Sequence, residues 1–400
     1  MAKVYRCIPL VVLLILSVRL AAQDPFFSQF YANRVYLNPA YAGLEGGTQL
    51  TLNHRNQWFN LSSASSLQLK GGYRTYNATL EQRLPCLTGV ERVTFGAAGS
   101  FFQDETGVAP MKTSGGALAG SFEYALIDPD MNIPSGLTRL DVRMGVQTSM
   151  MQSSIIGGDF IYSYQLDPLL GQIGGSHVVN MRADQYLNVN AGAMVRGSIK
   201  HGLHDYTIFT VGASVSNVNQ PAISFYEDNE EITLPRRTTV HMGMTRRLSS
   251  MKGTKHYSPL YLAPQFRWDS QMRGKLNLYT IGGYLLGKGH YSGVFYQFNT
   301  PKAVGTNSGA AIGGRNSTAL ILSWGIDIRS VLDVNRRWRD RATGWIVGLS
   351  YDVPTGGVNS NASSGTIELN CRIMLAELGS RCSSVRKNEL YKGATCPMNF

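Results

Sequence analysis

The chain has 400 residues with a formal charge of +11, 43 glycines and 10% aromatic residues. After the N-terminus no stretch approaches the roughly 18 consecutive apolar residues of a membrane-spanning helix, so any passage through a bilayer must be made by strands. The basic residues form no run interleaved with aromatics. The excess charge therefore suggests anionic envelope surfaces as neighbours, and nucleic acid is not expected as a partner.

In chain order, the first feature is a leader. Lys3 and Arg6 precede the apolar run Ile8 to Val18, and Arg19-Leu20-Ala21-Ala22-Gln23 supplies small residues for cleavage after Ala22 or Gln23. Residues 1–22 therefore read as a signal peptide that takes the chain out of the cytoplasm. Residues 23–46 follow as an aromatic segment punctuated by Pro and Asn, containing Phe26, Phe27, Phe30, Tyr31, Tyr36 and Tyr41. Such a stretch cannot be a wall strand throughout. It is expected to plug or cover the mouth of whatever follows, using aromatic contact area to stay docked, and a partner-binding arm is the alternative.

From 47 to 375 the pattern has period two. Leu140, Val142, Met144 and Val146 alternate with Asp141, Arg143, Gly145 and Gln147. Leu262, Pro264, Phe266 and Trp268 alternate with Ala263, Gln265, Arg267 and Asp269, and Trp345, Val347, Leu349 and Tyr351 with Ile346, Gly348, Ser350 and Asp352. Ile367, Leu369, Cys371 and Ile373 alternate with Glu368, Asn370 and Arg372. Side chains of a strand point alternately to its two faces, so each segment has one apolar and one polar face. Many segments reach ten residues or more, the length of a tilted membrane strand, and aromatics gather at their ends as in an interfacial girdle. The reading is an all-β, antiparallel, transmembrane outer-membrane β-barrel with a polar interior.

Fifteen segments can be counted, near 48–59, 67–83, 92–104, 113–127, 137–151, 155–165, 187–199, 206–218, 236–249, 258–272, 274–286, 290–299, 316–329, 342–353 and 365–375. Single-chain bacterial barrels have even numbers, so one segment is surplus. The stretch 155–165 is the weakest, and fourteen strands are expected within a range of 12–16. Residues 376–400 then form a short periplasmic tail. Cys86, in the turn Leu84 to Val90, shares that compartment with Cys382 and Cys396, and a disulfide Cys382–Cys396 or from the tail to Cys86 is expected. Cys371 falls on the apolar face as an inert thiol.

Signs of catalysis or metal binding are weak. His201 and His204 lie between strands without a third ligand, and the acidic run Glu227, Asp228, Glu230, Glu231 lacks the spacing of a calcium loop. Arg336, Arg337, Arg339 and Arg341 flank Trp338 in a loop that also carries Asp333 and Asp340, which reads as a solvated mixture of charge. The usual hydrolase, zinc-protease and phosphate-loop motifs do not occur, so an enzyme is not expected, and no cofactor is called for.

Two blocks carry a resemblance. Asp24-Pro25-Phe26-Phe27-Ser28-Gln29-Phe30-Tyr31 is followed by Asn38-Pro39-Ala40-Tyr41-Ala42-Gly43, and strand one then contains Arg55-Asn56-Gln57-Trp58. Looser matches are Asp104-Glu105-Thr106-Gly107, Asp167-Pro168-Leu169-Leu170, Tyr351-Asp352, Glu368-Leu369 and the terminal Cys396-Pro397. Together these resemble the PorP/SprF family, membrane proteins associated with type IX secretion and gliding in the Bacteroidetes. The resemblance implies a multi-pass outer-membrane accessory that supports export or surface attachment of cargo such as adhesins. Its partners would be secretion-envelope components and that cargo. The alternative function is a general diffusion porin or small-solute channel.

Overall fold

The structure is a computed structural model. It describes residues 25–45, 47–58, 72–84, 92–106, 111–127, 136–160, 166–167, 171–172, 177–201, 206–223, 225, 233–250, 259–272, 274, 276–287, 289–300, 318–328, 344–356 and 365–375. The expectations for the leader, the tail, Cys86, Cys382, Cys396, His204, the acidic run and the Arg336 to Arg341 loop fall outside these residues.

Alternation of apolar and polar residues becomes a wall of fourteen antiparallel strands. They are β1 (Thr48–Gln57), β2 (Tyr73–Leu84), β3 (Val93–Thr106), β4 (Met111–Ile127), β5 (Leu137–Phe160), β6 (Tyr186–Lys200) and β7 (Tyr206–Ser216). The second half comprises β8 (Arg237–Ser250), β9 (Pro259–Gln271), β10 (Leu276–Gly287), β11 (His290–Asn299), β12 (Thr318–Asp327), β13 (Gly344–Gly356) and β14 (Thr366–Leu375). Each pairs with its sequence neighbours, and β1 pairs with β14 from Thr48 opposite Leu375 to Gln57 opposite Thr366. The ring is closed. Closure leaves no row of backbone N–H and C=O groups unpaired in hydrocarbon, which is the condition for strands to cross a bilayer at all.

The expected segments 137–151 and 155–165 are, as far as Phe160, one strand. β5 runs without a turn through Met150 to Ile155, overruns the ring, and pairs there with a short extra strand, His177–Arg182. From Met150 to Gly158 the sequence runs in like pairs (Met150-Met151, Ser153-Ser154, Ile155-Ile156, Gly157-Gly158), so alternation lapses where the strand continues past the rim and periodicity reads the lapse as a break. Removing this surplus segment gives the expected fourteen.

The apolar rows face outward. Leu118, Met144, Val294, Leu322, Trp324, Leu349 and Leu369 are all exposed in the isolated chain. Cys371 lies in the same outward row as a free thiol. The polar rows face inward, where Arg143, Arg267, Asp269, Asp352, Glu368 and Arg372 are almost completely buried. This inverts the soluble arrangement, in which burial belongs to apolar side chains.

The longest intervals between wall strands, residues 161–185, 217–236 and 300–317, all join strand ends on the side of the ring where β1 finishes, here the loop end. Bacterial outer-membrane barrels carry their longer loops on the outer side. The opposite, turn end is where β1 begins.

Candidate functional site

A ring of fourteen strands is wider than its own side chains can fill. Eight strands enclose a space that side chains just pack, and sixteen to eighteen leave an aqueous channel. Residues 25–45 supply the missing volume. Pro25, Asn33, Asn38 and Pro39 break any extended run, and the backbone forms only a short helix, α1 (Arg34–Leu37), and a tight turn, Pro39–Tyr41. Asn38 caps that turn, its Oδ1 accepting from the Ala40 N–H at 2.9 Å, and Pro39 stands at the first position where no N–H is needed.

The segment touches strands all round the ring. Beginning toward the loop end, Ser28 N–H and Gln29 N–H donate to the two carboxylate oxygens of Glu368 at 2.7 and 3.0 Å. Ser28 Oγ donates to Asp352 Oδ2 at 2.5 Å, and Arg55 bridges Ser28, Asp352 and Glu368. Arg267 donates to the Phe27 carbonyl at 3.1 Å, and its guanidinium lies 5.4 Å from the Phe26 ring and 5.5 Å from Phe30. Arg237 lies 5.0 Å from the Tyr36 ring, whose hydroxyl donates to the Pro25 carbonyl. Such cation–aromatic contacts are strongest where both partners are desolvated, as for Arg267 and Phe30, while Phe26 and Tyr36 are half-buried.

Midway down, Tyr31 donates to the Met242 carbonyl at 2.9 Å, and Asn38 Nδ2 donates to the carbonyls of Ala193 and Ala213. Ser214 donates to the Leu37 carbonyl. Phe30, Tyr31, Leu37, Ala40 and Tyr41 join Tyr284, Tyr291, Phe295, Ile321 and Ile346 in one apolar cluster inside the ring. Toward the turn end Arg143 donates to the carbonyls of Ala40 and Ala42, each at 2.8 Å, while pairing with Glu123. Arg34 reaches Glu45 at 2.6 Å and Glu81 at 2.8 Å, and Glu81 also accepts from the Gly43 N–H at 2.9 Å.

Close backbone approach explains particular glycines. A Cβ on Gly145 would stand 2.4 Å from the Ala40 nitrogen, and one on Gly96 would stand 2.0 Å from the Ala42 carbonyl oxygen. Gly43 itself has φ of +61°, open to glycine and costly for other residues.

The structure thus gathers the residues of the sequence blocks. Pro25, Phe27, Ser28, Gln29, Phe30, Tyr31, Asn38, Pro39, Ala40 and Gly43 make the interior segment, and Arg55 is one of its seats; Asp24 lies outside the described residues. Gln57 and Trp58 stand higher, at the loop end, with the Trp58 ring 5.3 Å from Tyr73. Sequence reasoning missed Arg34, Glu81, Ser214 and Ser121, whose hydroxyl donates to the Ala42 carbonyl, as docking residues, and Glu123 as the partner that holds Arg143. Several of the other partners it had assigned only to a polar lumen face. His201 hydrogen-bonds Thr207, and among the described residues no group of three His, Cys, Asp or Glu could hold a metal ion.

A closed barrel with this N-terminal block inside it sets the frame for comparison. The family model described as type IX secretion system membrane protein PorP/SprF matches residues 19–373. The chain belongs to that family. By fold and family it is an outer-membrane barrel of a secretion system and not a member of an enzyme family. No curated protein matches its sequence. Among solved structures it is similar to a Pseudomonas aeruginosa FadL homologue (11% identity, 85% of this chain and 92% of that one, TM-score 0.38). It is also similar to the CymD monoaromatic hydrocarbon channel (11%, 89% and 94%, TM-score 0.38). BamA from Haemophilus ducreyi lacking POTRA domains 1–3 is a third (7%, 83% and 70%, TM-score 0.33). At these scores the likenesses identify no function.

Proposed function

We propose that this PorP/SprF-family barrel is an accessory of type IX secretion and gliding that supports export or surface attachment of cargo such as adhesins. In this reading residues 1–22 are cleaved as a signal peptide, 23–46 act as a plug, 47–375 span the membrane and 376–400 form a periplasmic tail. That tail would be tied by a disulfide drawn from Cys86, Cys382 and Cys396. The observation that carries the reading is the occupied interior. A diffusion porin needs a continuous aqueous path, whereas here Ser28, Gln29, Phe30 and Asn38 are buried against the inner wall. A barrel closed from within works through its mouths and loops, by binding other proteins. Secretion components and cargo are the partners this implies.

Deletion of the gene in its host, followed by comparison of exported and surface-attached proteins, tests the proposal. The expected result is loss of one or more type IX cargo proteins from the surface or medium, with rescue by the intact gene. Unchanged export, surface adhesins and motility would overturn it.

A further inference from the structure

Toward the loop end the outward face of β1–β5 changes from apolar to polar over three rows of cross-strand partners. The first row is Leu52, Ala78, Phe101, Gly116 and Met150. Two residues on along each strand come His54, Tyr76, Gln103, Ser114 and Gln152, and two further come Asn56, Arg74, Glu105, Lys112 and Ser154. Charged side chains on the lipid face of a barrel are costly at mid-bilayer and tolerated at the interface, so the polar rows mark the level of the lipid headgroups. The His54 and Tyr76 rings, with centroids 4.6 Å apart, stand at that boundary, where amphipathic rings belong. Arg74 is exposed and Lys112 half-buried, and neither side-chain cation has an ion-pair or hydrogen-bond partner among the described residues. Glu105, between them, accepts from Gln103 Nε2 at 3.2 Å. Next along the margin, Arg182 and Asp184 contribute one exposed charge of each sign. Positive charge thus exceeds negative along this margin.

Directly beneath the margin the wall is indented. The small side chains of Ala78 and Cys371 lie among those of Tyr76, Phe101 and Leu369, and they leave an outward groove of ≈ 450 Å³ lined chiefly by apolar side chains. His54 and Tyr76 form its upper end, one row below Arg74. Arg74 and Lys112 stand two strands apart, roughly 10 Å, a span that two long side chains can close on one phosphate group. We propose that this sector seats one phosphorylated lipid of the outer leaflet, with an acyl chain in the groove and the phosphate held by Arg74 and Lys112. Charge complementarity selects this occupant. A neutral lipid or an apolar helix would fill the groove and leave both cations without a counter-charge. The site rests on the membrane wall and its orientation, and not on a role in secretion.

The test is native mass spectrometry of the full chain, released from detergent holding equal amounts of dioleoyl phosphatidic acid and dioleoylglycerol. One phosphatidic acid per chain should be retained, with a preference of roughly tenfold or more over the neutral lipid, the worth of one charge-assisted hydrogen bond. The double variant Arg74→Gln, Lys112→Gln should lose that preference. Both positions face outward, so its heat-modified gel mobility should match that of the unaltered chain. Ala78→Phe, which fills the groove from β2, should lower retention of the phosphatidic acid with both cations in place. Equal retention of the two lipids, or a preference unchanged in the double variant, overturns the proposal. So does displacement of the lipid by excess inorganic phosphate, which would assign the cations to a free anion. Retention unaltered by Ala78→Phe, or a dimer of the chain that this substitution dissolves, overturns it too, the last by giving the groove to a second copy.

Discussion

Excising residues 26–44 should turn a barrel that passes almost no current into an open channel in a planar bilayer. The expectation follows from the geometry of the wall. Fourteen strands enclose more space than inward side chains can fill, and porins with a few more strands conduct freely. Here the surplus is taken up by a segment held on hydrogen bonds to Glu368, Met242, Ala193, Arg143 and Glu81, spread round the ring. The wall itself is closed by the β1–β14 and β4–β5 ladders, neither of which uses the segment. Single-channel recording should show brief, small or no openings for the intact chain and steady conductance for the deletion. Equal conductance in both would mean that the interior is open despite the segment.

Arg34→Met should destabilise the chain by about 3–5 kcal/mol, the cost of removing one partner from a buried ion pair. Arg34 pairs with both Glu45 and Glu81, and the side chains of all three are nearly inaccessible. The substitution keeps most of the volume, so lost packing contributes little, and two carboxylates remain in a site with little water. Arg34→Lys should recover only part of the loss, because a single ammonium cannot reproduce the fork that reaches Glu45 through Nη1 and Gln49 and Glu81 through Nη2. Urea unfolding in lipid, followed by fluorescence and by gel mobility of the heated and unheated chain, measures both.

Much of the wall was legible because lipid and interior impose opposite preferences on neighbouring residues. Leu349 and Ser350, or Leu369 and Glu368, sit on opposite faces, and such pairs need no tertiary information to be recognised. The overrun of β5 was not legible, because the like pairs from Met150-Met151 to Gly157-Gly158 interrupt the alternation while the backbone stays extended. The interior segment was visible as aromatics with Pro and Asn, yet its seats were not. An inward Arg143 or Glu368 looks the same in sequence whether it faces water or accepts another part of the chain. Arg34 had no pattern to mark it, being one charge in an aromatic stretch. Gly145 and Gly96 contributed to a glycine-rich composition, and only the approach of Pro39 to Ala42 gives their positions a reason. The seat of Ser28 depends on Arg55, Asp352 and Glu368 from β1, β13 and β14, and β1 is far from the other two in the chain.

Adjacent residues that face hydrocarbon and interior offer the most direct measurement. In a chain with its native tryptophans replaced by phenylalanine, Val294→Trp places an indole on an outward position that is 54% exposed. Phe295→Trp places one a single residue away, on an inward position that is 1% exposed and packed against Phe30 and Tyr284. In vesicles of brominated-chain lipid, fluorescence of the first should be strongly quenched and that of the second nearly unchanged. Equal quenching at both positions, or quenching at 294 by aqueous acrylamide and not by the lipid, would contradict a membrane wall closed round its own N-terminal segment.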